Sequence, residues 1–274
     1  MDLMGIFWFF LIFASLAPVI KQKQIEAQRL RLHKKLQDIR HSRVITLIHR
    51  QETISILGLP VSRHIDIDDS EHILRAIRMT PDDMPIDLVL HTPGGLVLAT
   101  EQIARTLQNH KGKVTVFVPH YAMSGGTMIA LAADEIVMDP NAVLGPVDPQ
   151  LGGYPAVSIL RTVAEKNIDK VEDKTLILAD MASKAMEQVR SFVVSLLDDK
   201  MEQDKAEEVA DLLSQGRWTH DFALTYDMVA GFGLNVSTDM PQCVYEMMEL
   251  YPQPGQKKSS VTVVPLPEGT KRPE

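Results

Sequence analysis

The sequence predicts an α/β protein built on a parallel β-sheet. Four short apolar runs have the pattern of strands, at residues 44–48, 86–91, 113–118 and 135–138. Helical patterns lie between them, and strands that alternate with helices at this spacing form parallel βαβ units. Two of the strands lead into glycine loops, at residues 93–95 and 124–126. Because sites in open parallel sheets form at the carboxyl ends of strands, we expect the two loops to face each other.

The N-terminus carries the longest apolar run. Residues 3–20 contain no charge and are long enough to cross a bilayer as a short helix. We predict a transmembrane anchor rather than a signal peptide, because no basic segment precedes the run and Pro18 follows the nearest small-residue cleavage site. The anchor would comprise residues 1–20 and contact the lipid bilayer through residues 3–20. Since the basic residues all follow the span, the positive-inside rule predicts a single-pass membrane protein with a cytoplasmic body.

Residues 21–42 have a charged helical pattern. Apolar residues recur there at seven-residue spacing, namely Ile25, Leu32 and Ile39, with Leu36 beside them. We interpret the segment as a basic juxtamembrane helix near anionic lipid, with a short oligomerisation helix as the alternative.

Composition restricts the function. The formal charge is −8, and residues 1–43 carry eight basic against three acidic side chains, so the body is acidic and unsuited to nucleic acid. The single cysteine, Cys243, excludes an internal disulfide and a cysteine zinc site. The nine histidines show no metal-ligand spacing, and no glycine-rich nucleotide motif occurs. We therefore predict neither a metal nor a cofactor.

Residues 43–250 are predicted to form one domain. In addition to the strands already named, the domain has helical patterns at residues 96–107, 158–165, 175–197 and 205–213. Residues 216–221 are expected to form a strand and turn in which Thr219 or Asp221 caps the next helix. Residues 251–274, rich in Pro, Lys and Ser, are predicted to be a flexible tail.

Ser124 is the candidate nucleophile. It lies where a predicted strand turns into a helix of small residues, so its hydroxyl points outward beside backbone N–H groups. Ser-Gly-Gly also serves as an ordinary turn or N-cap, which is the alternative interpretation. If the glycine loops meet, the amides of Gly95 and Gly125 supply the two donors that a tetrahedral acyl intermediate requires.

These motifs resemble a known superfamily. HTPGG at residues 91–95 with AMSGG at residues 122–126, an alanine-rich helix and a Pro-Asn turn resembles the Clp protease and signal-peptide-peptidase A superfamily. GPVDPQ at residues 145–150 and GRWTHD at residues 216–221 are most similar to the serine dehydrogenase proteinase family. The resemblance extends to about residue 254 and implies the Clp/crotonase-like spiral of ββα units. It also implies Ser124 as nucleophile, an oxyanion hole of Gly95 and Gly125, and a homo-oligomeric ring.

The general base is less well defined. Clp proteases have a histidine on the turn where this chain has Val147, Asp148 and Pro149. Related membrane-anchored peptidases use a lysine whose position matches Lys184, and apolar neighbours that desolvate a lysine make it an effective base. An exposed lysine on the polar edge of the helix is the alternative.

Other titratable residues near these motifs have lesser roles in this hypothesis. Lys170, Lys174 and His220 are the reserve bases, and His220 with Asp221 also fits a helix cap. His120 is expected to line the site or to be structural, and Asp148 to fix the turn.

The sequence thus predicts a membrane-anchored serine peptidase that cleaves peptides or membrane proteins through a Ser124–Lys184 dyad and an acyl-enzyme. Two alternatives stay open. One is a catalytically inactive membrane scaffold of the same fold that binds protein partners. The other is acyl-thioester chemistry of the crotonase type, although the body shows no basic cluster for coenzyme A.

Overall fold

The computed structural model describes residues 3–50, 54–56, 59–61 and 64–251. Its α-helices are α1 (Leu3–Arg40), α2 (Ile67–Arg78), α3 (Val97–Gln108), α4 (Gly125–Leu131), α5 (Ala156–Glu165), α6 (Asp173–Leu197), α7 (Gln203–Ser214), α8 (Tyr226–Gly231) and α9 (Gln242–Glu249). A 3-10 helix spans Ile168–Lys170. Its strands are β1 (Arg43–Ile48), β2 (Ile54–Ile56), β3 (Leu59–Val61), β4 (Ile86–His91), β5 (Val114–Val118), β6 (Tyr121–Ala122), β7 (Glu135–Met138), β8 (Val143–Leu144), β9 (Gln150–Leu151), β10 (Tyr154–Pro155), β11 (Leu224–Thr225) and β12 (Val236–Ser237).

A five-stranded sheet with the order β1-β4-β5-β7-β12 lies at the centre, and all its neighbouring strands run parallel. The predicted α/β class is therefore confirmed. β4 and β5 are buried along their whole length, and most of their residues are accordingly apolar. A smaller sheet has the order β11-β8-β6. Its strand β6 follows β5 in the chain and ends just before Ser124.

The central sheet has a large core on one face. Ile45, Leu88, Val116 and Ile136 point to this side, where they pack with the buried faces of α2, α3, α4, α6 and α7. Side chains alternate between the two faces of a strand, so the residues next to these four point the other way. The larger core thus holds the elements on which the two glycine loops are mounted.

The opposite face of the sheet is covered by α1 and α9. Val44, Val89, Phe117 and Val137 form a second core there with Leu36 of α1 and apolar residues of α9. The end of α1 is fixed by an ion pair with a buried carboxylate, since Arg40 Nε donates to Asp87 Oδ2 of β4 at 2.8 Å. The second half of α1 is therefore part of the domain. Of the expected seven-residue stripe, Leu32 packs against this core beside the fully buried Leu36, whereas Ile39 is 59% exposed.

The predicted single-pass membrane location is wrong. Within the described part of the chain, no helix combines the length and the apolarity that crossing a bilayer requires. Residues 3–20 are not a separate element but the first half of the 38-residue helix α1, which continues into the charged segment that packs on the sheet. Without the span, the positive-inside rule gives no basis for the predicted cytoplasmic placement.

Two further expectations concern the C-terminal part. Residues 216–221 form turns rather than a strand, and the N-cap of α8 is Thr225 instead of Thr219 or Asp221. The paired strand comes later, as β11. Of the predicted tail, residues 252–274 lie outside the described residues.

The packing of α1 predicts different effects for two leucines of the same helix. Leu36→Ala should lower the free energy of unfolding by about 2–5 kcal/mol, because it leaves a cavity in a closed core. Leu30→Ala is the matched control, since Leu30 is 70% exposed. Chemical denaturation of both variants measures the difference. Equal effects of the two substitutions would contradict the packing of α1 against the sheet.

Candidate active site

The two glycine loops meet, as the sequence predicted. The N–H of Thr92 donates to the carbonyl of Tyr121 at 3.3 Å, and the N–H of Met123 donates to the carbonyl of Thr92 at 2.9 Å. Because β4 and β5 are neighbours in the sheet, the loops that follow them leave from the same edge. Main-chain hydrogen bonds thus join the first loop to the residue before Ser124.

The close approach of the loops requires glycine. Gly94 has φ +103°, and a Cβ built on it would lie 2.8 Å from Cβ of Ser124. A Cβ on Gly95 would lie 2.2 Å from the carbonyl oxygen of Ile65. A Cβ on Gly125 would lie 2.4 Å from Oγ1 of Thr100. No side chain fits at these distances, so the three glycines set the spacing of the site.

Ser124 has an unusual backbone. Its φ of +51° and ψ of −114° lie in a region that non-glycine residues rarely adopt. As the N-cap of α4 it makes no side-chain capping hydrogen bond, and the residue is partly exposed. Strain of this kind persists only when surrounding structure enforces it, and it is concentrated at functional sites. The ordinary N-cap interpretation of Ser124 is therefore not supported.

Two backbone amides that line the same cavity as Ser124 have no acceptor among the described residues. Gly125 is the first residue of α4, where an N–H has no partner within the helix. Gly95 lies between two bonded positions, since Ile65 N–H donates to Gly94 O and Leu96 N–H donates to Ile65 O, both at 2.8 Å. Among the described residues, neither Gly95 nor Gly125 donates its N–H to a protein acceptor. Free N–H groups of this kind can bind an oxyanion.

Ser124, Gly95 and Gly125 line one cavity of about 210 Å³. Its apolar walls come from four different elements or loops, through Val97, Met128, Val147 and Val189. Its polar lining includes His64, Asp148, Gln150 and His220. The cavity therefore combines an apolar surface with a small number of polar groups, which is typical of a binding site.

His220 and Asp148 form a hydrogen-bonded pair in this cavity. His220 Nδ1 lies 2.8 Å from Asp148 Oδ1, and Gln150 Nε2 donates to Asp148 Oδ2 at 2.6 Å. The hydrogen bond that His220 donates to Asp148 raises the pKa of His220, whereas burial lowers it. With Nδ1–H donated to the carboxylate, Nε2 is the nitrogen that carries the lone pair of the neutral ring. The pair thus has the arrangement of a general base oriented by a carboxylate.

The lysines that the sequence analysis considered as general bases lie outside this cavity. Lys184 is 67% exposed on α6, and its ammonium donates to Asp180 at 2.6 Å. Ala182 and Met186, the neighbours expected to desolvate Lys184, are instead buried on the inner face of α6. Lys170 and Lys174 are also exposed, and none of the three lines the cavity. The structure thus brings Ser124, Gly95 and Gly125 together but does not bring Lys184 to them.

A histidine pair lies behind the first loop. His91, the last residue of β4, is fully buried, and burial together with the positive charge of Arg50 lowers the pKa of His91 to about 3. Its neutral ring stacks on His120, with centroids 5.7 Å apart and planes 12° apart. Tyr121 packs at 4.2 Å from His91. His120 is itself exposed, and it is not among the residues that line the cavity.

The His220–Asp148 pair is the part of the site that sequence reasoning missed. Asp148 was predicted to fix the turn, and His220 to be a reserve base or part of a helix cap, but the two were not predicted to contact each other. A signal was present, because Asp148 occupies the turn on which the resembled proteases carry their histidine. What the sequence did not show was a contact across 72 positions.

Comparisons with known proteins also indicate a serine protease family. A family model described as a ClpP-like SDH-type serine proteinase matches residues 1–274. Two uncharacterised proteins of Methanocaldococcus jannaschii are similar to this chain. One is 54% identical over 262 residues, 96% of this chain and 92% of the relative. The other is 52% identical over 274 residues, 100% of this chain and 93% of the relative.

Two solved structures are similar at a lower level. The 1510-N membrane-bound stomatin-specific protease is 21% identical and has a TM-score of 0.44, with 68% of this chain and 79% of that chain covered. ClpP1 from Listeria monocytogenes is 15% identical and has a TM-score of 0.46, with 82% and 99% covered. At these values the two structures add nothing to the family match. That match and the parallel sheet agree with a Clp-protease-like α/β fold.

The contact between the loops predicts unequal effects for two glycines with positive φ. Gly153→Ala should lower the free energy of unfolding by about 1–2 kcal/mol through backbone strain alone, since nothing lies within 4 Å of the new Cβ. Gly94→Ala should cost about 1–3 kcal/mol more, because its Cβ meets Ser124. Denaturant titration of the two variants gives the comparison. A smaller loss for Gly94→Ala than for Gly153→Ala would contradict the tight loop contact.

Proposed function

The chain belongs to the ClpP-like SDH-type serine proteinase family, and on that premise we propose that it is a serine peptidase with Ser124 as its nucleophile. The observation that carries this proposal is the convergence of Ser124, the His220–Asp148 pair and two free amides on one cavity. A strained serine on a strand-to-helix turn, with unbonded N–H groups beside it, is suited to acyl transfer.

In this proposal His220 is the general base in place of Lys184. A serine hydroxyl is a weak nucleophile until a base removes its proton. His220 shares the cavity with Ser124 and is oriented by Asp148, whereas Lys184 is exposed and paired with Asp180. The chain order Ser124, Asp148, His220 is one of several in which such a set can occur, because geometry and not sequence order defines it.

The reaction then proceeds in two steps. Ser124 Oγ attacks the peptide carbonyl carbon while His220 Nε2 takes the hydroxyl proton, and the amides of Gly95 and Gly125 hold the oxyanion. His220 returns the proton to the leaving amine, which leaves an acyl-enzyme on Ser124. A water molecule, deprotonated by His220, attacks the acyl carbon; the bond to Ser124 Oγ then breaks, His220 returns the proton to that oxygen, and the acid is released. Asp148 keeps the imidazole in the required tautomer throughout.

Peptide substrates and assembly into a homo-oligomeric ring belong to the same proposal. Both are supported by the ClpP-like family. The apolar walls of the cavity favour an apolar side chain next to the cleaved bond. Apolar surface is also exposed on α6, where Ile177 is 63% and Met181 47% exposed, and a neighbouring copy would cover it.

A serine-reactive fluorophosphonate probe tests the assignment of nucleophile and base. Ser124→Ala should abolish labelling, and His220→Ala should slow it by about 10³-fold or more, because the hydroxyl loses its base. Lys184→Ala should leave the rate within about twofold, as expected for an exposed ion pair. Gel fluorescence against time measures all three rates.

Ser183→Ala is the matched control, since Ser183 is exposed on α6 and outside the cavity. Equal labelling of wild type and Ser124→Ala would overturn the peptidase and favour a catalytically inactive scaffold. Loss of labelling in Lys184→Ala with retention in His220→Ala would return the base to the lysine.

The pH dependence of kcat/KM provides a second test. His220 acts in its neutral form, and its raised pKa means that activity is lost on acidification from a pH above 6.5, the ordinary histidine value. Asp148→Asn should lower kcat/KM and move the acidic limb to lower pH, because the hydrogen bond that raises the pKa of His220 is weakened. Initial rates with a fluorogenic peptide across pH 5–9 measure how kcat/KM falls towards acidic pH. A limb that does not move in Asp148→Asn would exclude His220 as the titrating base.

A further inference from the structure

A second chain of hydrogen bonds between Asp, His and a hydroxyl lies behind the first glycine loop. His49, which directly follows β1, has Nε2 at 3.2 Å from Asp69 Oδ2 and Nδ1 at 3.1 Å from Thr92 Oγ1. Thr92 Oγ1 in turn accepts from the N–H of Gly94 at 3.2 Å. The chain therefore connects the first turn of α2 with the loop that carries Gly95.

The hydrogen positions follow from the acceptors. Burial raises the pKa of Asp69, but hydrogen bonds from His49 and from the Asp66 backbone outweigh it and lower the pKa overall, so Asp69 is an anionic acceptor. In the tautomer of His49 whose Nε2–H donates to Asp69, Nδ1 is left as an acceptor. The single hydroxyl hydrogen of Thr92 is then donated to His49. The hydroxyl oxygen of Thr92 remains an acceptor for Gly94 N–H.

This arrangement decides between two orientations of the Thr92 hydroxyl. Thr92 Oγ1 also lies 3.4 Å from the carbonyl oxygen of Gly94 and could donate there instead. That carbonyl already accepts from Ile65 N–H at 2.8 Å. With His49 taking the hydroxyl hydrogen, both backbone groups of Gly94 are satisfied. Thr92 is fully buried and His49 is 7% exposed, so water does not replace these bonds readily.

We propose that Asp69 and His49, acting through Thr92, are positioning residues that hold the loop at residues 93–95 so that the Gly95 amide faces the oxyanion. The inference rests on the proposed function, because it concerns the oxyanion hole of that reaction. His49 and Asp69 do not line the cavity and touch no reacting atom. Their effect falls on the stabilisation of the tetrahedral state. When the Gly95 amide is displaced from the oxyanion, the transition state loses more hydrogen-bond stabilisation than the bound substrate does.

The test uses Thr92→Val, which keeps the shape of the side chain and removes its hydroxyl. We expect kcat to fall about tenfold or more with KM little changed, a smaller loss than the ~10²–10³-fold caused by removing an oxyanion donor outright. Inhibition by a peptide boronic acid, which forms a tetrahedral adduct on serine, should weaken by the same factor. Thr92→Ser should restore both values, because the hydroxyl returns.

Thr80→Val is the matched control. Thr80 is also a buried threonine, but its hydroxyl donates to Ala76 O within α2. His49→Gln is a second test variant. It keeps a buried polar group, but the single side-chain amide of glutamine does not bond to both Asp69 and Thr92. It is expected to behave as Thr92→Val does, and it carries the test if Thr92→Val does not fold.

The outcomes separate the two proposals. A wild-type protein that neither cleaves peptides nor binds the boronic acid overturns the proposed function and this inference with it. An active wild type whose kcat and boronic acid affinity are unchanged in both Thr92→Val and His49→Gln overturns the inference alone. A loss in kcat that Thr80→Val reproduces, or that Thr92→Ser does not restore, also overturns it, since the effect would then be one of general stability.

Discussion

Two backbone segments pass each other at the end of the sheet at a separation that excludes a Cβ atom. The carbonyl of Thr92 accepts from Met123, and the N–H of Thr92 donates to Tyr121, so the two loops are joined like adjacent strands. Gly94 lies against Ser124 at this point, and Gly95 against Ile65. The position of Ser124, the free amides and the cavity all depend on this contact. The close approach of the two loops explains the positions of these glycines better than local turn preference does.

The contact is supported from both sides of the sheet. The larger core fixes α3 and α4, the helices that begin directly after the two loops, and the smaller core fixes the sheet from behind through α1 and α9. Hydrogen-bonded side chains complete the support. The His220–Asp148 pair faces the cavity, while His49 with Asp69 lies behind the first loop. One imidazole thus lines the cavity, and the other is buried inside the protein.

The strained backbone of Ser124 is consistent with this arrangement. A residue at φ +51° costs free energy that the surrounding packing must supply. All seven residues of α4 are buried, and the buried Thr127 donates its hydroxyl to Gly145 O at 2.7 Å while accepting from the N–H of Gly145 at 3.0 Å. The serine is therefore held by a rigid helix and not by a flexible loop, which favours a preorganised site.

Sequence alone determined the parallel α/β class, the two glycine loops and the family, because each depends on periodicity or on a local motif. It also placed Ser124, Gly95 and Gly125 in one site, since parallel neighbouring strands end at the same edge. Only the tertiary structure decided the partner of Asp148, because that contact spans 72 positions. It alone showed that Lys184 is exposed, since apolar residues occur on more than one face of α6 and their pattern does not say which face is covered. Only the structure showed that the second half of α1 packs on the sheet, because a helical pattern does not say which surface covers its apolar residues.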